Sequence, residues 1–221
     1  MKNWLLKYQK ELAWPLFIFS IFLLTSILYG QALFFEFIYD DFPYLVGNRP
    51  IQGHTINPIE YILKPSLQWS SNTTQFYRPL GAFIYALEFR LFAFDPFYYH
   101  LVMIMLHATV VILATLFIYL LFRNRSAAFF SGLLFLVHPI NTEVIAWISE
   151  QSVLSGSIFV FLSLIFFLLY EEHKIKTVLF LSVLLAVVAP FFKEQVIVIP
   201  FLVIGCLLFL KLSWKKNILY S

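Results

Sequence analysis

Six apolar runs, at 14–35, 97–122, 127–137, 152–170, 177–192 and 196–210, contain no Asp, Glu, Lys or Arg. A helix crossing a bilayer needs about 20 apolar residues. The spacing therefore predicts an all-α integral membrane protein. The third run is short and reaches spanning length only if 126–140 all contribute. A cleaved signal peptide has an apolar core of about 7–15 residues; the first run is longer and reads as an uncleaved anchor. Only 12% of the 221 residues are charged, against about 25% in soluble domains. A membrane β-barrel would show alternating segments of about ten residues, and none are present. The single Cys206 excludes an intrachain disulfide. Nucleic-acid and nucleotide signatures are absent.

Charge placement gives an orientation. The stretches between runs are Arg123-Asn124-Arg125, then Glu171-Glu172-His173-Lys174-Ile175-Lys176, and finally 211–216. Together with Lys2, Lys7 and Lys10 they hold ten of the fifteen basic residues. Cytoplasmic loops are enriched in Lys and Arg, so these segments and both termini are expected inside. The outer side then holds Arg49, Lys64, Arg78, Arg90 and Lys193, and every acid except Glu11, Glu171 and Glu172. This parity requires 78–94 not to cross. It carries Glu88 and Arg90, opens on Pro79, and reads as an amphipathic helix on the outer surface. The expectation is one transmembrane domain over 1–221 with about six spans, no repeat domain, and a first outer loop over about 36–96. That loop carries Gln52-Gly53-His54, Trp69 and the sequon Asn72-Thr73-Thr74.

Chemistry-bearing residues gather on that outer side. Asp40 and Asp41 follow the first run, where carboxylates are costly unless water, a cation or a substrate accounts for them. They read either as a solvated loop start or as a general base and its neighbour. Arg78, in Tyr77-Arg78-Pro79-Leu80, starts the surface helix and suits a phosphate fork, or a lipid headgroup. His100 and His107 share a helix face but lie about 10 Å apart along the axis, too far to hold one metal together. Alone, each reads as a packed polar residue more readily than as a ligand. In His138-Pro139-Ile140-Asn141-Thr142-Glu143, Asn141 or Thr142 can cap a helix whose first turn holds Glu143; Glu150 falls on the same face, two turns on. Lys193 is an outside cation that snorkels or meets an anion, and Glu194 can neutralise it.

In order and spacing these motifs resemble one family. Asp-Asp after the first span, Arg-Pro-Leu, Asp-Pro-Phe-x-Tyr-His with a later His, His-Pro-x-x-Thr-Glu, and Lys-Glu before Pro200 are similar to the membrane region of the tetratricopeptide-repeat O-mannosyltransferases and their bacterial relatives. The resemblance covers about 34–200 and implies the N-terminal part of a GT-C glycosyltransferase fold. It implies a polyprenyl-phosphate sugar donor, often mannose, and an acceptor hydroxyl on protein Ser/Thr or a glycan. It puts Asp40 and Asp41 in the catalytic region, with Asp40 as base. Arg78 and Lys193 become phosphate contacts, and His100, His107, His138, Glu143 and Glu194 supporting or cavity residues.

Membrane lipids are expected partners, as is a second chain supplying further spans or repeats; no cofactor, metal or nucleic acid is expected. Short loops favour a bacterial plasma membrane with the active face periplasmic or extracellular, or lumenal in a eukaryote. Relatives commonly have Arg and Asp where Gln151 and Val153 align here, and they extend beyond six spans. The alternative expectation is therefore an inactive, truncated relative serving as a membrane binding or scaffold protein.

Overall fold

The structure, a computed structural model, describes residues 2–53, 57–64 and 77–219. His54, Trp69 and the Asn72-Thr73-Thr74 sequon lie outside the described residues. Among the described residues there is no strand, and the protein is an all-α membrane protein. The first element is α1 (Lys2–Tyr29), continued by a 3-10 turn (Gly30–Phe34). A loop follows with a π turn (Phe42–Val46) and the short helices α2 (Arg49–Gly53) and α3 (Pro58–Leu63). Then come α4 (Pro79–Phe92), α5 (Pro96–Phe122), α6 (Arg125–Val137) and α7 (Ile140–Ala146). A 3-10 turn (Ile148–Glu150) leads into α8 (Gln151–His173) and α9 (Lys176–Val188). Two further turns, Ala189–Phe191 and Glu194–Val198, lead into α10 (Ile199–Leu219).

All six apolar runs are helical, and among the described residues four segments are long and apolar enough to cross a bilayer, Trp14–Phe34, Pro96–Phe122, Ile148–His173 and Glu194–Lys211, or five if the bent pair of α6 and α7 is one span. The third run does not extend straight to Ile140. It stops at Val137, and α6 and α7 meet at 60°. His138 and Pro139 cause the break. Proline lacks the N–H that a continuing helix needs, and the His138 ring nitrogen Nδ1 accepts the Ile140 N–H at 3.2 Å. The fifth run is a shorter apolar helix, Lys176–Phe191. Pro200, which follows the Lys-Glu motif, sits in the first turn of α10, where its missing N–H costs nothing.

Local chemistry explains the main boundaries. Asp95 caps α5 by accepting the Phe97 N–H at 3.1 Å, with Pro96 behind it. Asn124 caps α6 through the Ala127 N–H at 3.0 Å. Arg123 and Lys174 end α5 and α8 in the left-handed region, at φ 54° and 55°.

Helix α8 packs between α5 and α9, and α5 also meets α6 and α1. Ser163 on α8 and Ser182 on α9 exchange hydroxyl-to-carbonyl bonds of 2.9 and 2.8 Å. Such small polar residues let apolar helices approach where lipid offers no hydrophobic driving force. Ring contacts of Trp14 with Tyr119, Phe17 with Phe129 and Phe122 with Phe209 gather one end of the bundle. Arg123 pairs with Glu172 at that same end. The basic linkers at 123–125 and 171–176 thus share one end, and the loop after α1 packs at the other.

At that other end Leu45, Ile51, Tyr61, Ala82, Tyr85, Tyr99 and Ile148 form a small core under the loop. Helix α4 lies against it and against the start of α8. The approach depends on Gly81: a Cβ there would fall 2.5 Å from the Ser152 hydroxyl oxygen. Glu88, read from sequence as a charge of an amphipathic surface helix, faces inward and is only 5% exposed.

Candidate functional site: an ion-paired cluster beside an exposed aspartate

The two aspartates occupy opposite environments. Asp41 is buried at 1% exposure. Its Oδ2 accepts the Ile38 N–H at 3.0 Å and its Oδ1 accepts the Ser149 N–H at 2.8 Å. Burial pushes its carboxyl above the usual range, against the two backbone donors that favour the anion; the charge of Asp40 adds to the rise. Asp40 is exposed, and its carboxylate makes no hydrogen bond to a described residue. Tyr39 beside it takes a positive φ of 43°, which is uncommon for an aromatic residue. Its ring meets Trp147 at 6.3 Å.

Asp41 therefore fastens the loop to the turn before α8. The next residue of that turn, Glu150, accepts the Lys193 ammonium on both carboxylate oxygens at 2.8 Å. Adjacent to Lys193, Glu194 receives the Arg78 guanidinium in a two-point fork, Nε to Oε2 at 2.8 Å and Nη2 to Oε1 at 2.6 Å. Arg78 Nη1 also reaches the Tyr44 hydroxyl at 3.4 Å. Tyr44 returns to the loop, donating its N–H to the Asp40 carbonyl at 3.0 Å. Four segments are tied in a ring: the loop, the start of α4, the turn before α8 and the joint between α9 and α10.

Several expectations are corrected here. Glu194 pairs Arg78 and not Lys193; the acid facing Lys193 is Glu150. Glu150 does not continue the face of Glu143, because α7 ends at Ala146 and Glu150 belongs to a separate turn. Asn141 and Thr142 do not cap α7. Pro139 holds that position without a side-chain bond, and the Asn141 amide donates to the Phe135 carbonyl. Glu143 does lie in the first turn, yet it and His138 are exposed at the bend and make no hydrogen bond to the ring.

His100 and His107 are fully buried in α5. His100 packs on Phe35, and His107 between Tyr29 and Phe135. Among the described residues, no His, Cys, Asp and Glu form a group of three that could hold a metal ion.

Gln151 lies beneath the ring at 2% exposure and donates its amide to Glu88. Glu88 Oε2 and Gln151 Oε1 have no partner among the described residues. Burial pushes the Glu88 carboxyl up to about 8, against the opposing amide bond. Sequence reasoning missed Tyr44, Glu150 and Ser149 as site members. Glu150 alone carried a signal, as an acid on the same outer side as an unexplained Lys193.

No protein-family model matches the chain, and no solved structure matches it. Curated relatives do. The chain is 34% identical over 131 residues to mouse protein O-mannosyl-transferase TMTC1, covering 56% of this chain and 14% of that protein. It is 31% identical over 178 residues to human protein O-mannosyl-transferase TMTC3, covering 76% and 19%. It is 31% identical over 184 residues to protein O-mannosyl-transferase F38B6.6 of Caenorhabditis elegans, covering 78% and 25%. These are animal proteins, which lend no support to the bacterial membrane expected from the short loops. The chain spans about a seventh to a quarter of the relatives it matches. Over that stretch, it belongs to the TMTC protein O-mannosyl-transferase family.

Proposed function

We propose that this protein is a membrane glycosyltransferase of GT-C type. It moves a mannosyl group from a polyprenyl-phosphate donor to a hydroxyl of a protein Ser or Thr, on the outer or lumenal face, with the basic linkers cytoplasmic. The observation that carries this is the division of labour in the ring. An accessible carboxylate, Asp40, lies on the loop that the ring ties, through Tyr44 and Asp41, to the segments carrying two nearly buried cations, Arg78 and Lys193.

Each part has a chemical role. Asp40 accepts the proton of the acceptor hydroxyl as its oxygen bonds to the anomeric carbon. The bond from that carbon to the phosphate oxygen breaks, and its electron pair leaves on the phosphate. Phosphate is a stable anion, so it needs cations more than a general acid. That separates this site from glycoside hydrolysis, which flanks the bond with two carboxylates. Asp41 holds the loop in register with the turn before α8, and so sets where Asp40 points. His138 and Glu143, exposed at the bend between α6 and α7, are left to border the substrate; His100 and His107 support α5 from within.

A second reading, a non-catalytic membrane binding or scaffold protein, is favoured by one observation: Gln151 is spent on Glu88. The two readings separate in one assay. Purified protein in lipid nanodiscs is given polyprenyl-phosphate mannose and a Ser/Thr peptide, with Asp40→Asn/Asp41→Asn as control. Transfer that the double variant abolishes supports the enzyme. Donor binding without transfer supports the binding protein.

A further inference from the structure

We propose that Glu194 is a built-in stand-in for the donor's phosphate: it occupies the anion seat of Arg78 when no ligand is bound and yields it to a phosphate monoester or diester. The inference rests on the reading of Arg78 as a phosphate contact and adds how that contact is kept ready and regulated.

The two ion pairs of the ring differ in how exposed their acids are. The Arg78 side chain is 11% exposed and Lys193 7%, so both cations are fixed by their surroundings. Of their acids, Glu150 is 23% exposed and Glu194 53%. A nearly buried guanidinium needs an anion, because an unpaired buried charge is strongly destabilising. Here the anion comes from the solvent side, on a turn (Glu194–Val198) between two helices and not from a helix interior.

A carboxylate and a phosphate offer the same pair of acceptor oxygens to the guanidinium fork. Glu194 can therefore rotate into water when phosphate arrives, at little desolvation cost. Glu150 cannot do so as cheaply, and Lys193 stays paired. The exchange replaces one negative charge with one or two. Lys193, the neighbour of Glu194, favours the larger charge. Glu194 thus keeps Arg78 hydrogen-bonded until phosphate arrives, and sets a threshold that weakly held anions fail to pass.

The test measures binding of farnesyl phosphate to the protein in zwitterionic nanodiscs, with inorganic phosphate as competitor. Glu194→Gln keeps the shape and removes the charge; Glu194→Asp keeps the charge and shortens the reach. Both variants are expected to bind more tightly, Glu194→Gln by about fivefold to tenfold, while Arg78→Gln weakens binding by at least about tenfold. The same ordering for inorganic phosphate would assign the effect to the headgroup and not the prenyl chain. Unchanged or weaker binding by Glu194→Gln, with Arg78→Gln still defective, overturns the stand-in and leaves Arg78 as a phosphate contact. Unchanged binding by Arg78→Gln overturns both. If Glu194→Gln does not fold, Glu194→Asp decides: no tightening overturns the proposal.

Discussion

Asp40 and Asp41 are neighbours of one residue type, yet burial gives them different work. Asp41 satisfies two backbone donors in a dry setting, and Asp40 faces solvent. Removing a buried acceptor leaves its donors unpaired, at about 1–3 kcal/mol each. Asp41→Ala is therefore expected to lower unfolding stability by about 2–4 kcal/mol, read by denaturant titration in detergent. Asp40→Asn is expected to change stability by less than about 0.5 kcal/mol, as at other exposed sites. Glu88 gives a pH signature. Its carboxyl titrates near 8 in the fold and near 4.5 when unfolded. The native state thus holds a proton that the unfolded state has released, and stability falls as pH rises from about 4.5 to 8. Glu88→Gln should flatten that slope and raise the melting temperature at pH 8.5. The acid pair was legible in the sequence as a place to look. Its division was not, because burial of Asp41 depends on the Ser149 N–H, 108 residues away.

At the level of elements, the sequence was most readable where one residue type dominates over many positions. The apolar runs became helices. It was least readable at interruptions. The run at 127–137 looked extensible because Ile140 is apolar, but Pro139 and the His138 ring turn the chain by 60°. The joints matter more to the site than the helices do. Glu150 and Lys193 clamp the turn before α8 to the joint between α9 and α10. Glu150→Gln leaves Lys193 buried without its counter-charge and should cost about 3–5 kcal/mol. The double variant Glu150→Leu/Lys193→Met should recover most of that loss, since a buried apolar pair removes the unpaired charge. Full loss in both variants would show that the clamp acts through something other than charge. Gly81→Ala should also destabilise, by about 1–3 kcal/mol, by pushing α4 away from Ser152.

Over the whole molecule, the bundle has two unlike ends. One collects basic linkers and the ends of α5 and α8, with Phe209 of α10 against Phe122. The other carries the ring of Asp41, Tyr44, Arg78, Ser149, Glu150, Lys193 and Glu194, with Asp40 exposed on its loop. Charge counting along the sequence had put Asp40, Arg78 and Lys193 on one side, and folding brings their segments into one connected cluster. The partnerships escaped it, because Arg78–Glu194 joins residues 116 apart and Lys193–Glu150 joins residues 43 apart. One sequence contains no signal for which acid meets which cation. The central claim is that the exposed aspartate is the base and the buried one its anchor. The most direct measurement is kcat for mannosyl transfer from polyprenyl-phosphate mannose by wild type and Asp40→Asn, with melting temperatures recorded alongside. The account predicts a loss of about a hundredfold or more in kcat at an unchanged melting temperature. Asp40→Asn turning over at the wild-type rate would contradict it.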